Sequence, residues 1–217
     1  PILFMRYESA ELAKISINLC LVAMISTANT LAELCEKIGA DWDEIVPALK
    51  LDKRIGKNAY LKPGLGISGG NLERDIRSVK NLTKTNSTDG RIVDAWIENS
   101  NHRKDWVWQL ICKNELRNIK DIKIGILGLS YKENTDSIKN SPSLKLLSHL
   151  KGCHVKVYDP KASLKNEYFP FERVKKIQDA INGADILAIM TPWEEFKKVK
   201  SESFSELMNG KIIYDPY

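Results

Sequence analysis

Residues 8–38, ESAELAKISINLCLVAMISTANTLAELCEKI, are the stretch around which the fold of this chain is organised. No proline or glycine interrupts them, and Gly39 follows at once as a signal that ends a helix. The middle of the stretch, residues 19–25, is apolar on every side, which is typical of a segment buried in a domain core or against a partner chain. We therefore predict one helix of about 45 Å, longer than an ordinary globular helix.

Two polar residues near the start of this helix are candidates for chemistry. Lys14 and Asn18 are four residues apart and therefore share one helix face. An ammonium and a carboxamide that are at least partly buried can stabilise an oxyanion on a substrate oxygen. The same pair on a solvated face would have no such role, and the spacing alone leaves both alternatives open.

The length and the charge of the chain limit the classes of function. Its 217 residues suffice for one large or two modest domains. Thirty-three basic residues against 28 acidic ones give a formal charge of +5, which suits an anionic small molecule. Nucleic acid is disfavoured, because no dense basic run is interleaved with aromatic residues.

The cysteines and histidines give no sign of a metal site. The four cysteines lack a CxxC or other ligand spacing, and the three histidines are scattered. The apolar residues 19–25 are too few to span a bilayer, and nothing reads as a signal peptide. We expect a cytoplasmic protein with reduced thiols and with neither a membrane nor a nucleic-acid partner.

A glycine-rich segment, residues 51–75, lies downstream of the long helix. Its five glycines permit backbone angles and a close ligand approach that side chains would prevent, so the segment is expected to bind a ligand. A flexible linker is the alternative, which is disfavoured by the apolar residues among the glycines: Tyr60, Leu61, Leu65 and Ile67. Asn71 is then predicted to cap a helix that carries Asp75 in its first turn.

The rest of the chain alternates between helices and strands. A short helix with a break at Pro47 is expected before the glycine-rich segment, and a long helix over residues 91–116 after it. Beyond residue 119, helical segments alternate with four predicted strands, at residues 122–128, 153–158, 185–190 and 211–214. Such alternation predicts a parallel sheet, whose ligands bind at the carboxyl ends of the strands.

The end of the first predicted strand carries residues 128–132, GLSYK, a turn that favours a phosphate-bearing ligand. The predicted fold class is α+α/β, with a helical domain built on one long helix followed by a Rossmann-like parallel-sheet domain. We place the helical substrate and dimerisation domain at residues 1–118 and the sheet domain at residues 119–217.

Several segments resemble the UDP-glucose/GDP-mannose dehydrogenase family, the nucleotide-sugar 6-dehydrogenases. AELAK with Asn18 is similar to the family's AELxKxxxN, and residues 34–41, LCEKIGAD, are similar to its LCEKVGAD. Residues 127–142 resemble its LGLAFKxxTDDxRxSP signature. Residues 157–160 and 191–196 match its YDP and TxWxxF pieces. The likeness runs nearly end to end, with the segments in the family's order.

The resemblance implies a three-part enzyme of which this chain holds the last two parts, so the chain is expected to be a fragment that is inactive alone. NAD would be bound mainly by a domain absent from it. The helical domain would pair two subunits into a homodimer through the long helix. The sheet domain would bind a UDP-sugar or related nucleotide sugar.

The resemblance also implies roles for individual residues. Lys14 and Asn18 would hold the sugar C6 oxygen as it becomes an oxyanion, and Asp75 would position or activate water. Lys139 would stand where the family places a cofactor-contacting arginine. The implied substrate contacts are Arg54, which in many members reaches over from the neighbouring subunit, and Tyr60, Gly66, Ile67, Tyr131 and Lys132.

Three departures from the family's pattern bear on activity. Asn71 stands where the nucleophilic cysteine belongs, and a carboxamide cannot form the thiohemiacetal that leads to the acid. Lys139 keeps a charge but loses the fork of an arginine. Residues 214–217 read YDPY where many members have DGR. We therefore expect the intact protein to oxidise the alcohol to the aldehyde, while the second oxidation is in doubt.

Two other functions remain open from the sequence. A catalytically inactive homologue would keep the nucleotide-sugar pocket and the dimer contact. A β-hydroxyacid-type dehydrogenase shares the helix-borne lysine and asparagine, although it gives no reason for a second α/β domain.

Overall fold

The computed structural model describes residues 2–113, 121–163 and 171–217. The chain divides into two compact units, Pro1–Arg103 and Lys104–Tyr217. The domain boundary that the sequence predicts between residues 118 and 119 lies outside the described residues. The first unit is helical and the second is built on a sheet, so the predicted fold class is confirmed.

The helical unit is built on α1, which spans Tyr7–Ile38 and confirms the single long helix. It ends where predicted, because Gly39 adopts the left-handed conformation (φ 77°) and its N–H donates to the Cys35 carbonyl at 3.0 Å. The helices that follow are α2 (Trp42–Leu51), α3 (Asn71–Thr85) and α4 (Arg91–Lys104).

Two local predictions for α2 and α3 are wrong. Pro47 lies inside α2 without ending it, and the helix continues to Leu51. Pro47 is exposed, so the carbonyl that loses its N–H partner can turn to water. Asn71 is the first helical residue of α3, and Gly70 occupies the cap position without a side-chain bond.

The predicted long helix over residues 91–116 is broken at Asp105, where α4 ends and α5 (Trp106–Lys113) begins. The carboxylate of Asp105 is engaged by α6 (Pro142–His149), accepting from Lys145 Nζ at 2.6 Å and lying 3.1 Å from His149 Nε2. Such a partner is remote in sequence, so helical periodicity does not reveal the break. The last three residues of the predicted helix lie outside the described residues.

Two apolar clusters hold the other helices against α1. One joins Ala28, Ala32, Cys35, Trp42 and Leu61, and the other joins Val22, Ile67, Ile76 and Val93. Within residues 19–25 only Val22 is fully buried, and Cys20 is exposed. The expected burial on every side is therefore not achieved by this chain's own elements. By length and composition alone α1 is also apolar enough to cross a membrane, a test that core helices pass as well.

The sheet unit contains five described strands, all parallel, in the spatial order β3-β2-β1-β4-β5. This confirms the predicted parallel sheet and adds β3, an edge strand of two residues that is too short for a sequence pattern. The strands are β1 (Lys123–Leu127), β2 (His154–Tyr158), β3 (Glu172–Arg173), β4 (Ile186–Ile189) and β5 (Ile212–Tyr214). The helices after α6 are α7 (Ile177–Ile181), α8 (Glu194–Lys197) and α9 (Ser201–Leu207).

The strand β1 lies in the middle of the sheet, at the core of its unit. Residues 124–130 are all buried, as expected of a parallel strand covered on both faces. Gly125 is required there, because a Cβ atom would come within 2.4 Å of the Ala180 carbonyl oxygen in α7. The helix therefore packs directly on the strand, and the carboxyl end of β1 leads into the predicted ligand-binding edge.

Candidate functional site

Asn18 of α1 and Asp75 of α3 meet in the helical unit, although 57 residues separate them. Asn18 Nδ2 donates to Asp75 Oδ2 at 2.5 Å, and Arg74 Nε donates to Asp75 Oδ1 at 2.9 Å. Asp75 is only 4% exposed, because Val22 and Ile76 bring the two helices together beside it. The structure thus joins two of the residues that the sequence singled out.

The surroundings of Asp75 keep its carboxylate charged. Burial by itself raises the pKa of Asp75, but the hydrogen bonds from Asn18 and Arg74 outweigh that effect. The positive charges of Arg74 and Lys14 add to them, so the pKa lies below its ordinary value. Asp75 is therefore a strong hydrogen-bond acceptor at neutral pH and a weak base.

Lys14 and Asn71 border this pair. Lys14 is exposed, lies one turn before Asn18 on α1, and is close enough for its charge to act on Asp75. Asn71 is exposed and lies one turn before Asp75 on α3. The Lys14 ammonium and the Asn18 carboxamide accordingly lie beside a buried carboxylate, a set that can bind and polarise a hydroxyl group.

The glycine-rich segment is attached to the helices through its backbone. The Leu61 carbonyl accepts from Trp42 Nε1 at 2.9 Å, and the Gly64 N–H donates to Asn29 Oδ1 at 2.8 Å. Ile67 points its side chain into the core, and its N–H donates to Ser100 Oγ at 2.8 Å. A solvated linker would not be fixed in this way, so the structure contradicts that alternative.

Gly66, with φ 78°, needs the left-handed freedom of glycine and lies between these anchored residues. Arg54 and Tyr60 lie earlier in the segment and are both exposed. Arg54 pairs with Asp52 of its own loop at 2.6 Å. The substrate contacts that the sequence assigns to these residues and to Ile67 stay predictions.

Gly64, Gly66 and Gly69 have the GxGxxG spacing of a dinucleotide-binding turn, but their setting differs. That turn follows a strand and exposes its amides to the pyrophosphate, whereas residues 52–70 follow a helix and contain no strand. The Gly64 N–H is also already bound by Asn29. This GxGxxG spacing therefore does not form a dinucleotide-binding turn of that kind.

Asp159, at the carboxyl end of β2, organises the ligand-binding edge of the sheet unit. Its Oδ2 accepts from the Leu129 N–H at 2.7 Å and from the Ser130 N–H at 3.0 Å. Its Oδ1 accepts from the backbone N–H groups of Lys161 and Ala162. Burial raises the pKa of Asp159, but these backbone bonds together bring it below the ordinary value.

This carboxylate changes the expectation for the 128–132 turn. Backbone binding of a phosphate by this turn would need the amides that already donate to Asp159, and the next amide, of Tyr131, donates to the Ser137 carbonyl at 3.0 Å. The amides of Leu129, Ser130 and Tyr131 are therefore engaged within the protein. This role of Asp159 was not predicted from the sequence. The available signal was an acidic residue directly after a predicted strand.

Charged side chains at the same edge remain exposed. Lys132 Nζ lies 5.7 Å from the centroid of the Tyr131 ring, and Lys161 Nζ lies 5.7 Å from that of Trp193. Lys139 is exposed as well. These ammonium groups can meet an anionic ligand, although Lys161 was not selected from the sequence. Among the described residues, no group of three His, Cys, Asp or Glu is arranged to hold a metal ion.

Two family models match the chain in succession, and both describe nucleotide-sugar oxidoreductases. The central-domain model of the UDP-glucose/GDP-mannose dehydrogenase family matches residues 8–102, and its UDP-binding-domain model matches residues 125–217. The chain belongs to the UDP-glucose/GDP-mannose dehydrogenase family, as the sequence motifs predicted. The match of the second unit to a UDP-binding domain leaves no support for the β-hydroxyacid alternative.

Similar proteins carry consistent names. UDP-glucose 6-dehydrogenase of Rickettsia bellii is 34% identical over 95% of this chain and 49% of its own length. UDP-glucose 6-dehydrogenase TuaD of Bacillus subtilis is 31% identical over 99% of this chain and 47% of its own length. A solved UDP-glucose dehydrogenase from Pyrobaculum islandicum superposes with a TM-score of 0.86 at 25% identity, over 100% of this chain and 52% of that one. The chain thus spans about half the length of the relatives it matches.

Proposed function

We propose that this chain is the substrate-binding and dimerising part of an NAD-dependent nucleotide-sugar 6-dehydrogenase homologue that oxidises the C6 hydroxyl of a UDP-sugar. The observation that carries the proposal is the hydrogen bond between Asn18 and buried Asp75, with Lys14 one turn away. The names of the similar proteins support a UDP-sugar as substrate. We further propose that the whole protein is cytoplasmic and needs neither a metal nor a membrane.

In this proposal Asp75 fixes the plane of the Asn18 carboxamide by accepting one of its N–H groups. The second N–H of Asn18 and the Lys14 ammonium then donate to the C6 oxygen as it loses its proton. The proton passes to a water molecule that Asp75 positions as a hydrogen-bond acceptor. Loss of one such donor typically slows a reaction by about 100-fold to 1,000-fold.

The position of Asn71 limits what happens after the aldehyde forms. A thiolate at this position would add to the aldehyde carbon, whereas a carboxamide nitrogen is a poor nucleophile. We therefore propose that the reaction ends after one two-electron oxidation, or that any further oxidation relies on direct attack by water.

The oxidation needs a hydride acceptor, which we propose to be NAD bound by another part of the whole protein. In the two glycine turns the amide of Gly64 donates to Asn29, those of Leu129 and Ser130 donate to Asp159, and that of Tyr131 donates to Ser137, which supports a cofactor site elsewhere in the whole protein. Lys139 is proposed to contact the cofactor as a point charge from the sheet unit.

We also propose that the protein forms a homodimer through α1. A stripe that is apolar except at Thr27 runs along the helix at alternating spacings of three and four residues: Ile17, Cys20, Met24, Thr27, Leu31, Leu34 and Ile38. All but Met24 are exposed in the single chain, and Met24 is half-buried. Such a spacing is that of a helix–helix seam, and a second copy of α1 would cover it.

A catalytically inactive, nucleotide-sugar-binding homologue is the second candidate, and the exposed Asn71 in place of the nucleophile favours it. The test is to supply the whole protein with UDP-glucose and NAD⁺ and to count NADH formed per sugar consumed. One NADH per sugar is expected. Two would refute the early stop, and tight UDP-glucose binding without any NADH would establish the inactive homologue.

A further inference from the structure

Three polar side chains of the helical unit are almost completely buried beside the glycine-rich segment. Asn29 of α1 is 1% exposed, and Ser100 and Arg103 of α4 are 7% and 2% exposed. Burying such groups is unfavourable unless each finds hydrogen-bond partners. Their partners lie on the backbone of residues 64–67.

Gly64 is bound on both sides of its backbone. Its N–H donates to Asn29 Oδ1 at 2.8 Å, and its carbonyl accepts from Arg103 Nε at 3.0 Å. Ile67 is bound in the same manner by one hydroxyl, because Ser100 Oγ accepts from its N–H at 2.8 Å and donates to its carbonyl at 3.3 Å. The helices α1 and α4 therefore hold the segment by hydrogen bonds at Gly64 and at Ile67, three residues apart. We call these four hydrogen bonds the backbone anchor.

The charge of Arg103 is compensated by α1. Its guanidinium lies 3.6 Å from a Glu33 carboxylate oxygen and 3.7 Å from one of Glu36. A buried arginine needs such partners, since desolvation otherwise outweighs its attraction to one acceptor. The arginine thereby ties the Gly64 carbonyl to the same helix that supplies Asn29.

The earlier part of the segment is held differently. Residues 52–56 bond mainly among themselves, for example through Asp52, which accepts from the Arg54 backbone and side chain. Arg54 and Tyr60 are exposed. The segment accordingly has a part bound to α1 and α4 and a part that relies on local contacts.

The helix α1 carries both Asn29 of the backbone anchor and Asn18 of the proposed site. Asn29 is eleven residues after Asn18, close to three helical turns, so both side chains lie on nearly the same face. The distance between the Asn18–Asp75 pair and residues 64–67 is therefore set by one rigid helix.

We propose that Asn29, Ser100 and Arg103 are positioning residues that keep the backbone of residues 64–67 in the shape that receives the nucleotide sugar. They contact the loop and not the substrate. The identity of the ligand rests on the proposed function. The backbone anchor itself does not depend on that function.

The test uses the whole protein with Ser100→Ala, the conservative variant Ser100→Thr, and Ser205→Ala as a matched control. Ser205 is exposed on α9, and its hydroxyl group donates to the Glu202 carbonyl of the same helix. Ser100→Ala should speed hydrogen exchange at the amides of residues 64–67 and weaken UDP-glucose binding by about ten-fold. Ser100→Thr should restore both, and the control should change neither.

Three results overturn the inference: unchanged exchange, faster exchange with unchanged UDP-glucose affinity, or failure of Ser100→Thr to restore binding. Should Ser100→Ala not fold, Asn29→Leu tests the other anchor point with the same two measurements. A wild-type protein that does not bind UDP-glucose refutes the proposed function instead. Hydrogen exchange at the amides of residues 64–67 still tests the backbone anchor in that case.

Discussion

At the scale of single residues, Asp75 combines burial with charge. Asn18 and Arg74 satisfy its two oxygens, and this compensation lowers its pKa despite desolvation. The sequence pointed to Asn18 and Asp75 through the family's motifs, but it gave no information on the bond between them. The role of Asp159 was not foreseen, because its donors come from the turn after β1 and from the chain after β2, which only the folded sheet brings together.

The lowered pKa of Asp75 predicts a pH-dependent stability. A carboxyl group with a folded-state pKa below its unfolded value of about 3.9 stabilises fully above that pH and loses its effect as pH falls through the folded value. Asp75→Asn should therefore lower the free energy of unfolding by about 1–3 kcal/mol near neutral pH. Denaturant unfolding should be measured from pH 7 to pH 2.5 for the wild type and for Asp75→Asn. Their free energies of unfolding, plotted against pH, should converge in acid. A constant difference between the two free energies over this pH range would show that Asp75 is not the source of the pH-dependent stability.

Asn71 provides a second residue-scale prediction. Asn71→Cys places a thiol one turn before Asp75 on α3, where it can add to the aldehyde and carry the reaction to the acid. The yield in the whole protein should rise from about one NADH per UDP-glucose to about two. Asn71→Ser is the control, since a hydroxyl without a dedicated base is a weaker nucleophile. A yield that remains at one with the thiol present would reject the assignment of this position.

At the scale of elements, the long helix was the most predictable feature. The absence of proline and glycine and the stop at Gly39 gave α1 to within one residue at its start. Elements decided by remote contacts were less predictable. The residue at the break, Asp105, contacts Lys145 and His149, and the strand β3 has only two residues and pairs with β2 among the described strands.

The exposed stripe on α1 leads to a prediction about assembly. Leu34→Glu would bury a charge in the proposed seam, so the dimer should dissociate to monomer at micromolar concentration. Leu82→Glu is the matched control, because Leu82 on α3 has nearly the same exposure, 47% against 49%. Sedimentation equilibrium distinguishes the two species. A Leu34→Glu protein that remains dimeric would place the interface elsewhere.

At the scale of the whole molecule, fold class and family followed from the sequence because both rest on patterns that recur along the chain. Alternating strands and helices predicted the parallel sheet, and ordered motifs predicted the two family models that match residues 8–102 and 125–217. The hydrogen bonds of the 128–132 turn did not follow from the sequence, since the carboxylate that accepts from its amides belongs to Asp159, about 30 residues later in the chain. A glycine-containing turn therefore predicts a phosphate site only when its amides are free.

The central claim is that Asn18 and Asp75 act as one unit on the substrate. A double-mutant cycle on the whole protein tests it most directly, with the rate of the first NADH-forming turnover measured for Asn18→Ala, Asp75→Ala and the double variant. Each single change is predicted to lower that rate by about 100-fold or more, with the double variant scarcely slower than the worse single one. Losses that multiply in the double variant, or a single variant as fast as the wild type, would contradict the account.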